Sequence, residues 1–234
     1  MKTVGLIGGM SWESTIPYYR TINEVVKENL GGLHSARIVL YSVDFHEVER
    51  YQHRDEWQAA AQLLAGAARS LQAAGADFVV LCTNTMHKIA ADVEAAVDIP
   101  LLHIADATAE AIVETGIRKV GLLGTRFTME QAFYKDRLSR RHDLEVVTPK
   151  EPDRELVHRV IYDKLCLGIV DDSSRNEYRR IMTMLSARGA QGIILGCTEI
   201  ALLVQPEDSP VPLFDTAEIH ARGAANLALS GNRL

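Results

Sequence analysis

The sequence predicts an α/β fold made of two similar halves with parallel-type sheets, and three observations carry that prediction. Short apolar runs alternate with longer segments of helical period, the pattern of successive strand–helix–strand units. The second half repeats blocks of the first in the same order. The composition is that of an ordinary globular chain: 234 residues, 47% apolar and 24% charged, with 16 glycines and 7 prolines. Such a chain can bury a real core and is neither disordered nor collagen-like.

Taken in order, Val4 to Ile7 is a buried strand, Gly8-Gly9-Met10 a turn, and Trp12 to Leu30 a helix stopped by Gly31-Gly32. Arg37 to Val43 reads as the second strand and Asp55 to Ala74 as a helix ending at Gly75. Phe78 to Cys82 is the third strand, Met86 to Val97 the next helix, and Pro100 to Leu102 a short fourth strand. The helix that begins near Ala105 ends by Gly116.

The repeat is the most informative feature. Val4-Gly-Leu-Ile-Gly8 matches Val120-Gly-Leu-Leu-Gly124 at an offset of 116 residues. The pattern Leu71-x-Ala73-x-Gly75-Ala76 with Leu81 and Thr83 matches Leu185-x-Ala187-x-Gly189-Ala190 with Leu195 and Cys197, at an offset of 114. Pro100-Leu101 matches Pro212-Leu213 at 112. Any one block is weak, but three at nearly one offset imply two similar α/β domains. The expected division is 1–103 plus a C-terminal helix 216–234 for the first domain, and 104–215 for the second. In open parallel sheets ligands sit beyond the carboxyl ends of strands, so equivalent strand ends in two facing halves would line one shared cleft. Thr83 and Cys197 would then face each other.

Several functions are excluded. A net charge of −6 without a basic cluster lacks the footprint of nucleic-acid or anionic-membrane binding. The longest apolar stretches, such as Phe78 to Cys82 and Ile200 to Val204, are far too short to span a bilayer. Cys82, Cys166 and Cys197 suit neither a disulfide framework nor a zinc site, and a reducing cytoplasm is the natural setting. His46, His87, His103, His158 and His220 have no metal-ligand spacing, and Gly5-x-x-Gly8-Gly9 fails the dinucleotide fingerprint, so neither a metal nor a nicotinamide cofactor is expected. Arg179-Arg180 reads as a solvated helix face, Cys166 as a packing residue, and Asp215 as a helix cap.

The chemistry-bearing segments are Cys82-Thr83-Asn84-Thr85 and Gly196-Cys197-Thr198-Glu199. Each leaves a buried strand for a helix start, where free N–H groups attract an anion and depress the pKa of a thiol. The alternative is that Thr85 and Thr198 cap helices while the cysteines fill the core. Two equivalent strand ends favour the functional reading. The repeat pairs Thr83, not Cys82, with Cys197, and alternation along the strand turns Cys82 to the opposite side, so Cys82 is read as structural. Lys164 is out of pattern. It lies at i+7, i+4 and i+3 from Val157, Val160 and Ile161, which mark a buried stripe, so spacing leaves it open whether its ammonium snorkels to solvent or binds a ligand.

These motifs resemble those of the aspartate/glutamate racemase family, cofactor-independent enzymes with two pseudo-symmetric α/β domains. The resemblance spans essentially the whole chain, through Gly5-Leu-Ile-Gly-Gly-Met-Ser11, Cys82-Thr-Asn-Thr-Met-His87 and Phe214-Asp215-Thr216. The family pattern of Cys-Asn-Thr and Gly-Cys-Thr appears here as Thr83-Asn84-Thr85 and Gly196-Cys197-Thr198, so threonine replaces the first catalytic cysteine. That combination is similar to the L-aspartate/glutamate-specific racemases, and implies Thr83 and Cys197 as the acid/base pair. The resemblance also implies substrate contacts from Met10, Gln52, Asn84, Thr85, Thr125, Lys164 and Thr198, with Lys164 as a clamp for the side-chain carboxylate, and a homodimer. Gln52 is expected in an exposed loop after the second strand. Alternatives are a broad-specificity racemase, another superfamily activity such as hydantoin racemase, maleate isomerase or arylmalonate decarboxylase, or an amino-acid-binding module without turnover.

Overall fold

The computed structural model describes residues 1–230. Met1–Ile104 together with residues 220–230 forms one compact unit, and Ala105–Ile219 forms the other.

The first unit starts with β1 (Val4–Gly8), α1 (Trp12–Leu30), β2 (Ile38–Ser42), α2 (Phe45–His53), α3 (Trp57–Ala73) and β3 (Phe78–Leu81). A 3₁₀ turn at Thr85–Ile89, α4 (Ala90–Glu94) and β4 (Leu101–Leu102) come next, and α5 (Ile104–Glu114) begins at its boundary. Its sheet has the order β2-β1-β3-β4, with every pair parallel. The second unit continues with β5 (Lys119–Gly124), α6 (Arg126–Glu130), α7 (Ala132–His142), β6 (Glu145–Val147) and α8 (Asp153–Asp163). It is completed by α9 (Asp172–Ala187), β7 (Gly192–Gly196), α10 (Ile200–Leu203) and β8 (Leu213–Asp215), with the order β6-β5-β7-β8, again parallel throughout. Helix α11 (Thr216–Ser230) carries the chain back into the first unit. The last four positions of the helix expected over 216–234 lie outside the described residues.

The α/β prediction of two similar parallel-sheet halves is borne out, down to register. Ile7 pairs with Leu81 and Leu123 with Leu195, the pairs related by the sequence offsets. The repeated glycines have a shared reason. A Cβ at Gly5 would stand 2.8 Å from Ala76 Cβ and 3.3 Å from Leu71 Cβ, and one at Gly121 would stand 2.6 Å from Ile193 Cδ1 and 3.3 Å from Leu185 Cβ. Leu71 and Leu185 are themselves repeat partners, so each glycine lets a crossover helix sit close on the sheet. In the first unit Leu64, Ala67, Ala68 and Leu71 of α3 pack on Val79 and Leu81. In the second, Val157 and Ile161 of α8 and Ile181, Met182 and Leu185 of α9 cover Leu123, Ile193 and Leu195. Each fully buried leucine contributes roughly 1.5–3 kcal/mol.

Three expectations need correction. The helix expected over Asp55–Ala74 begins at Trp57, because Asp55 adopts φ 58° and interrupts the chain after α2. Helix α2, capped by Asp44 accepting from the His46 N–H at 3.0 Å, lies where a loop was expected. The single helix expected over Met86–Val97 is a 3₁₀ turn and then the five-residue α4, broken at Ile89 with φ −110° and ψ 20°. No helix among the described residues is long and apolar enough to cross a membrane.

Candidate active site

In the first unit, β3 ends at Leu81 and delivers Cys82 to the core. Cys82 is 0% exposed, its thiol turned back toward the Val80 carbonyl at 3.8 Å, and burial pushes its pKa far up. Thr83, Asn84 and Thr85 come next, with Thr83 7% exposed just beyond the end of β3. The Thr83 backbone is fixed on both sides. Its N–H donates to the Leu81 carbonyl at 2.8 Å, and its own carbonyl accepts from His87 Nδ1 at 2.7 Å, while His87 Nε2 accepts from the Ile104 N–H at 3.2 Å. Those two partners set the His87 tautomer as Nδ1–H.

Beside this turn, the Gly9 N–H donates to Thr15 Oγ1 at 2.9 Å, and Gly9 has φ 89°. Met10 is buried in the same cluster as Met86 and Val48. Gln52 is neither exposed nor in a loop: it lies on α2, 3% exposed, and its Nε2 donates to Met86 Sδ at 3.0 Å. The reason is the missed helix, which turns Val48 and Gln52, at i and i+4, to one buried face.

In the second unit Gly124 pairs with Gly196, so Thr125 and Cys197 leave adjacent strands side by side. Thr125 caps α6, its Oγ1 accepting from the Thr128 N–H at 3.4 Å. Cys197 is 8% exposed, close to the exposure of its repeat partner Thr83. Its Sγ donates to Glu199 Oε2 at 2.9 Å, and Thr198 Oγ1 donates to the same oxygen at 3.0 Å. The expected depression of this thiol's pKa is reversed: burial first, then the Glu199 carboxylate, push it well up. The helix start that was to lower it is the four-residue α10, too short for an appreciable dipole.

Lys164 closes α8 and directs its ammonium to Asp171 Oδ2 at 2.8 Å and Ser174 Oγ at 3.0 Å. The Lys164 hydrogen bond, with those from Ser174, holds the Asp171 carboxyl down at about 2. Asp215 caps α11 through the Ala217 and Glu218 N–H groups, and Cys166 packs against the second core, as expected. Arg179 and Arg180 are paired rather than simply solvated, with Asp208 at 2.6 Å and with Glu177 at 2.9 Å respectively. No group of three or more His, Cys, Asp or Glu side chains among the described residues could hold a metal ion.

The sequence profile of the Asp/Glu/hydantoin racemase family matches residues 7–224. The chain belongs to that family. Its fold is shared with a Yersinia pestis protein of known structure that carries a provisional Asp/Glu racemase name, at 63% identity and TM-score 0.91 over 98% of this chain and all of that one. An aspartate racemase homologue from Pyrococcus horikoshii matches at 37% identity and TM-score 0.83, over 98% of this chain and 100% of the other. A curated relative, the broad-specificity amino-acid racemase RacX of Bacillus subtilis, is 23% identical over 97% of this chain and 98% of its own length.

Within this racemase-family chain, the structure brings Met10 and Gln52 to Met86 in one unit, and Thr125, Cys197 and Thr198 to adjacent strand ends in the other. Two neighbours of these residues escaped sequence reasoning. His87, read as one of several dispersed histidines, pins Thr83. Its i+4 spacing from Thr83 was the available signal. Glu199 stands in the quoted Gly-Cys-Thr-Glu segment, but nothing in the sequence turns its carboxylate back onto the thiol.

Proposed function

We propose that this protein is a cofactor-independent amino-acid racemase that converts L-aspartate and L-glutamate to their D-enantiomers, with Cys197 and Thr83 as the acid/base pair. The supporting observation is that Cys82 is wholly enclosed while Thr83 and Cys197, related by the repeat, keep 7% and 8% exposure just beyond the ends of equivalent strands. Inversion removes the α-proton from one face and returns a proton to the other. In this reading the Cys197 thiolate takes the proton of the L-substrate and the Thr83 hydroxyl supplies one to the opposite face. A threonine hydroxyl is a much weaker acid than a thiol, so its alkoxide is a scarce base and the D-to-L direction saturates at a lower rate. Enantiomers have equal free energy, so kcat/KM is nonetheless the same in both directions.

General acid/base catalysis contributes about 10²–10⁴-fold. Fixed donors on the substrate carboxylate must supply much of the rest as charge develops on the α-carbon. Asn84, Thr85 and Thr198 are assigned that part, with Met10, Gln52 and Thr125 shaping the pocket; the Gly9 N–H is already engaged by Thr15. Lys164 is assigned to the side-chain carboxylate. A second reading, broad specificity, is favoured by the existing Lys164–Asp171 pair, which a substrate carboxylate would have to displace. The same proposal carries a homodimer in the cytoplasm, a compartment that suits three free thiols.

The test is incubation of cofactor-free protein with each L-amino acid in D2O, following the α-proton by NMR and the D-enantiomer by chiral chromatography. Exchange with D-product from aspartate and glutamate is expected. Exchange with retained L configuration would remove Thr83 from the mechanism. Equal rates on neutral amino acids would establish the broad-specificity reading, and no exchange with any would overturn racemisation.

A further inference from the structure

Glu199 is 2% exposed, and two side-chain donors converge on one of its oxygens: Cys197 Sγ at 2.9 Å and Thr198 Oγ1 at 3.0 Å. A charged carboxylate so deeply buried is costly unless it is hydrogen-bonded. Here it faces the thiol directly. The other titratable groups that act on that thiol are Cys166, from the turn after α8, and Tyr178, on α9 with its hydroxyl donated to the Val157 carbonyl at 3.3 Å. All three are acids, so the surroundings favour the protonated, neutral sulfur over the thiolate.

We propose that Glu199 is a positioning residue for Cys197: anchored by the Thr198 hydroxyl, its carboxylate is the acceptor to which Cys197 turns its hydrogen once it has taken the substrate's α-proton, and this makes the thiolate a stronger base. The inference rests on the reading of Cys197 as the base. In the step, the α C–H bond breaks and the S–H bond forms. The electron pair stays on the α-carbon, delocalised into the substrate carboxylate. The new S–H donates to Glu199 Oε2, which itself takes up no proton in the step. Before transfer, two negative groups repel; as the proton arrives, repulsion gives way to a charge-assisted hydrogen bond. That interaction grows toward the transition state, which is the kind that accelerates a chemical step. The α-proton of an amino acid is weakly acidic, so added basicity at sulfur acts where the barrier is highest. Thr198 keeps the carboxylate in place during the repulsive phase.

The experiment is an alkaline titration of substrate-free protein by the ultraviolet absorbance of the thiolate. Each form is corrected by subtracting its Cys197→Ser counterpart, which removes the tyrosines and thiols that do not interact with Cys197, and Cys166→Ser and Tyr178→Phe backgrounds remove the two that do. Glu199→Gln, which keeps shape and removes charge, is expected to lower the Cys197 midpoint by about one pH unit or more. Glu199→Asp, which keeps the charge, shifts it less and serves if the Gln variant does not fold. In racemisation assays the ascending limb of the Glu199→Gln pH–rate profile moves to lower pH while its plateau kcat falls. A midpoint unchanged or raised in Glu199→Gln, or equally lowered in Glu199→Asp, overturns the proposal. The titration needs no substrate, so a protein that fails to racemise while its midpoint shifts refutes the racemase reading and not the coupling. Racemisation with an unshifted midpoint refutes the coupling alone.

Discussion

Cys82 and Thr83 are neighbours with opposite environments, and that contrast makes the sharpest residue-scale prediction. Cys197→Ala should abolish D-product formation, whereas Cys82→Ala should retain it, at a modest cost in melting temperature from the small cavity left. Chiral chromatography and thermal denaturation of both variants check this, and equal loss of activity would mean the register has been misassigned. Gly9→Ala is a second case. Gly9 has φ 89°, and a Cβ there would collide with the Val43 carbonyl oxygen. Backbone must move, so a loss of roughly 2 kcal/mol or more in denaturant unfolding is expected. The equivalent placement of Thr83 and Cys197 beyond their strands was legible because the side-chain period of two and the repeat offset act together. Gln52 and Glu199 were not: one depends on a helix with a charged, weakly patterned sequence, the other on a rotamer chosen by a buried thiol.

The turn between α8 and α9 carries Lys164, the residue proposed to set specificity. Lys164 ends one helix, Asp171 caps the next, and the ion pair between them ties the connection together. Lys164→Ala should raise KM for aspartate and glutamate more than for neutral amino acids. Asp171→Asn should lower KM for the acidic substrates, because their carboxylate no longer competes for the ammonium; a rise would mean that Asp171 serves to aim Lys164. Asp171 also has its folded pKa, about 2, below its ordinary 3.8, so the pair's stabilisation is present above the latter and lost as pH falls through the former. The long helix α1, with its glycine stop, and the central strands of the first unit were readable from the apolar pattern. Short helical segments were not, since α2 and the 3₁₀ turn after β3 are decided by Asp44, by Asp55 at positive φ and by the His87 ring rather than by periodicity.

For the molecule as a whole, each sheet carries its own core, and the first unit is closed by the returning helix α11. His220, fully buried, sits at that closure with Nδ1 accepting from Tyr18 Oη at 2.9 Å and Nε2 donating to the Leu102 carbonyl at 2.8 Å. Burial lowers its pKa from the ordinary 6.5 to about 4. The unfolded chain therefore binds a proton here before the folded one does, and stability is lost as pH falls from 6.5 toward 4, by on the order of 3 kcal/mol. Urea midpoints measured above and below this window should diverge in the wild type and less so in His220→Gln. The same closure has a consequence for synthesis. The Lys2 N–H bonds to the Ala228 carbonyl at 2.9 Å, so the segment leading into β1 meets this partner only after α11 has been translated. Residues 105–219 are contiguous and can settle before that, which inverts the usual order in which the unit synthesised earlier matures first.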